Sequence, residues 1–140
     1  DSDDKINEFA DNFITIGALN YEYGNKVVAT FSNFGKINVD VFAPGVKIYA
    51  TGPNNEYKML QGTSMAAPNV AGVAALIRSY YPKLSAKQVK HILMDSGVAI
   101  NTDVIVGGKS KDVRSFTALS KSGKIVNAYN ALLMAEKMSK

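Results

Sequence analysis

The chain has no cysteine, one histidine and only four prolines in 140 residues. Without cysteine there is neither a disulfide nor a thiolate-bound metal, and the redox compartment stays open. With one histidine, any imidazole base within the chain has to be His91. No run of about eighteen apolar residues occurs, so the sequence encodes no membrane-spanning helix. The N-terminus, Asp1-Ser2-Asp3-Asp4, is acidic and unlike a signal peptide, so no targeting segment is expected within the chain. Long runs of like charge are also missing. The formal net charge is +4, with five Lys/Arg against eight Asp/Glu in residues 1–77 and eleven against four in residues 78–140. The basic residues stand singly between apolar positions, which describes a solvated surface and not a nucleic-acid-binding face. The seven tyrosines are dispersed without basic interleaving.

What is present is enough apolar content, 46%, for one domain with a real core. The alternation of strand-like and helix-like segments indicates an α/β fold. Phe13 to Ala18 is a compact, partly β-branched run that reads as a buried strand. Asn20 to Asn25 reads as a turn. Val39 to Ala43 reads as a second strand, stopped by Pro44-Gly45. Val46 to Ala50 and Tyr57 to Leu60 flank the turn Gly52-Pro53-Asn54-Asn55 and are expected to form an antiparallel hairpin. A helix is expected from about Ser64 to Tyr80, apolar on nearly every side and so suited to burial through a core, with Pro82 ending it. Ser85-Ala86-Lys87-Gln88 is a capping box for a second helix closing near Asp95, with Ala86, Val89 and Leu93 on one face. Within residues 98–122, Val104 to Val106, a Gly107-Gly108-Lys109 turn and Val113 to Leu119 suggest an exposed hairpin. Asn127 is placed to cap a last helix carrying Ala128, Ala131, Leu132 and Ala135 on one face.

The stretch with chemistry is Gly62-Thr63-Ser64-Met65-Ala66-Ala67-Pro68, at the entrance of the first helix. A serine there is first of all a preferred N-cap. The alternative is a nucleophile, because a helix N-terminus offers unpaired N–H groups and a positive dipole end to charge developing on an attacked carbonyl oxygen. Gly62 leaves room for a substrate backbone. A serine hydroxyl also needs a base, and that base needs an orienting partner. On a helical wheel His91 lies nearer Lys87 than the apolar face and is expected to face solvent.

Gly62-Thr63-Ser64-Met65-Ala66, then Pro68 and Val70-Ala71-Gly72, resembles the active-serine motif of the subtilisin-like serine peptidases. Ile16-Gly17-Ala18, Phe31-Ser32-Asn33-Phe34-Gly35, Ala43-Pro44-Gly45 and Gly123 to Ala128 resemble further segments of that family, so that the likeness covers roughly residues 9–97 and 123–135. Asn69 stands where members often carry histidine, and His91 lacks the His-Gly-Thr context of the family's catalytic histidine. The resemblance implies a partial three-layer α/β fold with parallel core strands and a hairpin leading into a buried helix. It implies that Ser64 is the nucleophile, that its backbone N–H forms half of an oxyanion hole, and that Gln61, Gly62 and Thr63 border the scissile bond.

In this family the order is Asp, His, Ser, so the chain is expected to be the C-terminal portion of a catalytic domain over residues 1–140. The His, the Asp and an oxyanion-holding Asn then come from upstream, and the chain is expected to be inactive alone as an endopeptidase. Expected partners are a polypeptide substrate, the missing N-terminal half, and a second copy joined through an exposed sheet edge. The family also implies secretion or a cell-envelope location, a use of calcium for which Asp1, Asp3 and Asp4 make only a weak case, and oxidation of Met65 as a hazard to activity. A decayed, non-catalytic interaction module is the alternative of another class. A Gly-x-Ser-x-Gly elbow is disfavoured, because Ala66 replaces its last glycine and His91 follows too soon.

Overall fold

In a computed structural model, residues 11–140 are described. Strand β1 (Ile16–Leu19) is buried along its length, and β2 (Val41–Pro44) pairs with it in parallel, Ile16 opposite Val41 and Leu19 opposite Pro44. The run from Phe13 thus becomes strand only at Ile16, and Phe13 itself is exposed. A hairpin follows, β3 (Ile48–Gly52) antiparallel to β4 (Glu56–Leu60). It leads into α1 (Thr63–Tyr80) and then α2 (Ala86–Asp95). The remaining elements are β5 (Val98–Ala99), a second hairpin of β6 (Asp103–Ile105) and β7 (Val113–Ser115), then β8 (Lys124–Ile125) and α3 (Ala128–Ser139). The main sheet has the order β1-β2-β8-β5, with β8 parallel to β2 and β5 antiparallel to β8. No helix among the described residues is long and apolar enough to cross a membrane.

Side chains alternate across the sheet, and each face has its own core. Ile16, Ala18, Val41 and Ala43 pack with Ala66, Val70 and Ile77 of α1, Val89, Ile92 and Leu93 of α2, and Ala131 and Ala135 of α3. Leu19 and Phe42 point the other way, into a cluster with Val104, Val106, Phe116 and Leu119. Residues 98–122 contain the expected hairpin, and its strand β7 is exposed throughout. The β-strands are paired as foreseen, but Val104, Val106 and Phe116 are completely buried because they cover the second face of the sheet. Helices, sheet and hairpin make three layers.

Both helix caps read from the sequence form. The Ser85 hydroxyl accepts from the Gln88 N–H while the Gln88 side chain accepts from the Ser85 N–H, and Asn127 Oδ1 accepts from the Asn130 N–H at 2.9 Å. The apolar face of α2 differs from expectation at one end: Ala86 is exposed, and burial begins at Val89 and takes in Lys90. Helix α1 buries one stripe, Ala66, Val70 and Ile77, and leaves Ala67, Ala71, Gly72, Ala75 and Leu76 facing outward. Burial on every side is therefore met on one side only among the described residues.

The open edge expected on the sheet is partly closed. Beyond β1, the Ala18 carbonyl accepts from the Ala29 N–H, the Asn20 N–H donates to the Val27 carbonyl, and the Ala18 N–H donates to Ser32 Oγ at 2.8 Å. Residues 27–32 thus lie along the outer side of β1, and this is the place of the Phe-Ser-Asn segment in the fold. A capped edge is a poor template for pairing with another chain. One buried charge cluster was not foreseen. Asp40, just before β2, accepts from the Thr15 N–H at 2.9 Å and faces Lys90 and Lys121 ammonium groups at 3.6 Å each. Asp40 and Lys90 are both nearly inaccessible, so Lys90 is not part of the solvated basic surface. A buried carboxylate is tolerable only with such partners.

Candidate active site

Ser64 sits where two backbone segments meet at the carboxyl end of β2. The chain leaves β2 through Pro44-Gly45, and the Gly45 carbonyl accepts a 2.8 Å hydrogen bond from the Gly62 N–H. The Gly45 N–H in turn donates to the Leu19 carbonyl at 3.0 Å, which ties the corner to β1. There is no room for a side chain at Gly45. A Cβ there would lie 2.8 Å from the Ala18 Cβ and from the Gly62 oxygen, and 3.3 Å from the Ala66 Cβ. The second clamp is Asn69, the seventh residue of α1, whose Nδ2 donates to the Pro44 carbonyl at 2.9 Å and to the Met65 carbonyl at 3.2 Å. Its position suits an amide that binds carbonyls.

Gly62, not Ser64, is the N-cap of α1. It has φ 149° and ψ 162°, a conformation that strains any L-residue, and its carbonyl accepts the first helical bonds from Met65 (2.9 Å) and Ala66 (3.3 Å). Thr63 and Ser64 occupy the first two helical positions, so the Ser64 N–H belongs to the set that has no partner within the helix. The Ser64 hydroxyl is not used as a cap, is exposed, and makes no hydrogen bond among the described residues. An exposed hydroxyl beside free N–H groups at a helix N-terminus is the arrangement in which an oxyanion is stabilised. Gln61 is exposed, and Gly62 and Thr63 are half-buried beside it. Pro68 is the sixth residue of α1, beyond the first turn in which a missing N–H costs nothing, so it removes the helical hydrogen bond that an N–H there would give to the Ser64 carbonyl.

His91, the one imidazole of the sequence, is engaged at the surface. That side chain lies on the outer face of α2, 46% exposed, with Nε2 3.4 Å from Asp11 Oδ1. The same carboxylate meets the Lys87 ammonium at 2.5 Å, and this hydrogen bond holds the Asp11 carboxyl below the usual carboxylate range. His91 therefore belongs to a surface cluster with Lys87, as the helical wheel indicated. Among the described residues no group of three or more His, Asp or Glu is placed to hold a metal ion. Asp1, Asp3 and Asp4 lie outside the described residues.

The features that sequence reasoning missed at this site are Gly45 and the double hydrogen bond of Asn69. A Pro-Gly corner after a core strand signals a turn, but the close approach of its backbone to the helix entrance is a tertiary fact.

Comparison with known proteins agrees with the resemblance noted above. The family model described as the subtilase family matches residues 4–124. Subtilisin DY from Bacillus licheniformis is 45% identical over 97 residues, 69% of this chain and 34% of that protein. Subtilisin-like protease 1 of Plasmodium falciparum is 44% identical over 91 residues, 61% of this chain and 13% of that protein. Among solved structures, a chain of the subtilase cytotoxin SubAB assembly superposes with a TM-score of 0.68 at 27% identity, over 90% of this chain and 37% of that one. The prenylagaramide maturation protease PagA gives 0.66 at 29% identity, over 87% and 42%. The chain therefore spans about a third of the length of Subtilisin DY, and it belongs to the subtilase family.

Proposed function

We propose that this chain is the nucleophile-bearing portion of a serine endopeptidase. Ser64 attacks the carbonyl carbon of a peptide bond to give an acyl-enzyme, which water then hydrolyses. Its backbone N–H, at the second position of α1, holds the oxyanion that forms. Gln61, Gly62 and Thr63 border the scissile bond. A histidine, an aspartate that orients it, and a side-chain amide completing the oxyanion hole come from another part of the complete polypeptide. The observation that carries this reading is the state of Ser64: exposed, uncommitted to capping, and seated at an unpaired helix N-terminus. The outward face of α1, with Ala67, Ala71, Gly72 and Ala75, suits close packing of the rest of such a domain. Polypeptides are the substrate class, and an extracellular or cell-envelope location goes with the family.

The chain alone lacks a base for Ser64, so it should not turn over. The test is hydrolysis of a chromogenic peptide by the complete polypeptide, by its Ser64→Ala variant and by residues 1–140 alone. Turnover by the complete polypeptide only, lost on Ser64→Ala, supports the reading. Efficient turnover by the 140-residue chain, or turnover that survives Ser64→Ala, overturns it.

A further inference from the structure

The hairpin β3–β4 ends at Leu60, and the chain then passes through Gln61 and Gly62 into α1 and Ser64. Its pairing puts Tyr49 opposite Met59 and Thr51 opposite Tyr57, so these four side chains share one face. The other face carries Ile48, Ala50 and Leu60 together with Glu56 and Lys58, the last two joined at 3.0 Å. Both faces thus carry apolar residues, and the Tyr49/Tyr57/Met59 face is the one not turned to a core: these side chains are 66%, 61% and 60% exposed. The two tyrosine rings stack with centroids 5.3 Å apart and planes 20° from parallel. The turn holds Asn54 and Asn55 in left-handed conformations, φ 62° and 58°, which fixes the two strands in register. The two stacked rings and Met59 form a small apolar patch whose geometry is set before anything binds it.

Its occupant follows from continuity. Strand β4 runs from Met59 through Leu60 and Gln61 to the Gly62 cap with no intervening element. At ~3.3 Å per residue of strand, Met59 and Tyr57 lie within about 17 and 23 Å of Ser64 along the chain. An extended polypeptide held at Ser64 covers that distance in about five to seven residues.

From this the geometry points to a remote specificity subsite: the Tyr49/Tyr57/Met59 face receives an aromatic or large aliphatic side chain of the polypeptide substrate, three to seven residues from the scissile bond on one side of it. This inference rests on the peptidase reading and adds to it a substrate class, chains long enough to reach the hairpin and apolar at that position. The hairpin acts on binding and not on the reacting bond, since no ring lies between Gln61 and Met65 around Ser64.

The complete polypeptide tests it with two kinds of substrate. One is a short chromogenic peptide that cannot reach the hairpin. The other is a set of quenched-fluorescent decapeptides in which Phe or Gln is placed in turn at each position three to seven residues from the cleaved bond, on either side. Phe should raise kcat/KM about fivefold or more at one or two positions of one side, as a modest aromatic contact does. The double variant Tyr49→Ser, Tyr57→Ser should lose that preference and keep its activity on the short peptide within about twofold, while Tyr49→Phe, Tyr57→Phe retains both. Survival of the preference in the serine variant overturns the inference. So does an absence of preference in the unaltered protein that cleaves the short peptide. A serine variant that loses thermal stability and shows no preference assigns the face to packing within the complete polypeptide, and likewise overturns it. No Ser64-dependent cleavage of the short peptide removes the peptidase reading, and this inference with it.

Discussion

Gly45→Ala should be the most damaging single-methyl change near the helix entrance. The added Cβ meets the Ala18 Cβ and the Gly62 oxygen at 2.8 Å and the Ala66 Cβ at 3.3 Å, against an ordinary carbon–carbon separation of about 3.5–4.0 Å. None of these neighbours is the free end of a flexible side chain. Ala18 is in the middle of β1, Ala66 is buried in α1, and the Gly62 residue is tied to Gly45 by the 2.8 Å hydrogen bond between them. Relief requires moving the helix entrance away from the strand ends, at a cost of about 1–3 kcal/mol for overpacking. In urea unfolding of the complete polypeptide this appears as a lower midpoint with an unchanged slope. The same displacement shifts Ser64, so the rate of Ser64 acylation should fall by a larger factor than that of an equally destabilising core variant such as Val89→Ala. An unchanged or raised midpoint in Gly45→Ala would refute the close approach on which the site geometry rests.

Gly72→Ala is the contrasting case: nothing lies within 4 Å of a Cβ there, so in the 140-residue chain it should raise helix stability by about 0.5–1 kcal/mol, read from thermal circular dichroism. In the complete polypeptide the sign should reverse where α1 packs closely on the rest of the domain, and a gain in both would count against that packing. Asn127→Ala should cost about 1 kcal/mol through loss of the α3 cap to the Asn130 N–H, with Asn127→Ser largely restoring it in the same unfolding assay. Asp112 is held below its ordinary value of 3.8 by the hydrogen bonds it accepts from Arg114. Its stabilising contact is therefore intact above that value and is lost as pH falls below it through the lowered one. Carboxyl NMR titration should show Asp112 protonating later than 3.8, and Arg114→Gln should bring it back toward 3.8.

What was legible in the sequence was local. The capping box at Ser85 and Gln88, the Asn127 cap, the Gly52 to Asn55 turn and the Gly62-to-Pro68 motif depend on neighbours a few residues away, and each appears where it was read. Residues 98–122 show the limit. Their short strands and Gly-Gly turn specify a hairpin, but burial of Val104, Val106 and Phe116 depends on Leu19 and Phe42 coming from the far end of the chain. The same holds for Asp40, whose partners Lys90 and Lys121 are fifty and more residues away. Its one local signal was a carboxylate inside the apolar run Val39 to Phe42. At the site, the serine and its place at a helix entrance were readable from composition and order. That Gly62 takes the cap and leaves the Ser64 hydroxyl unengaged was not, because Ser, Thr and Gly are all acceptable caps.

The central claim is that Ser64 is a nucleophile whose activating partners lie elsewhere in the complete polypeptide. Labelling with a fluorophosphonate serine probe, followed by peptide mapping, tests it directly on the complete polypeptide and on residues 1–140. Modification at Ser64 in the complete polypeptide and none in the 140-residue chain is the predicted result. Failure of the folded complete polypeptide to label, with any inhibitory segment removed, would contradict the claim and favour a non-catalytic binding module. Strong labelling of the isolated chain at Ser64 would contradict the requirement for partners outside it.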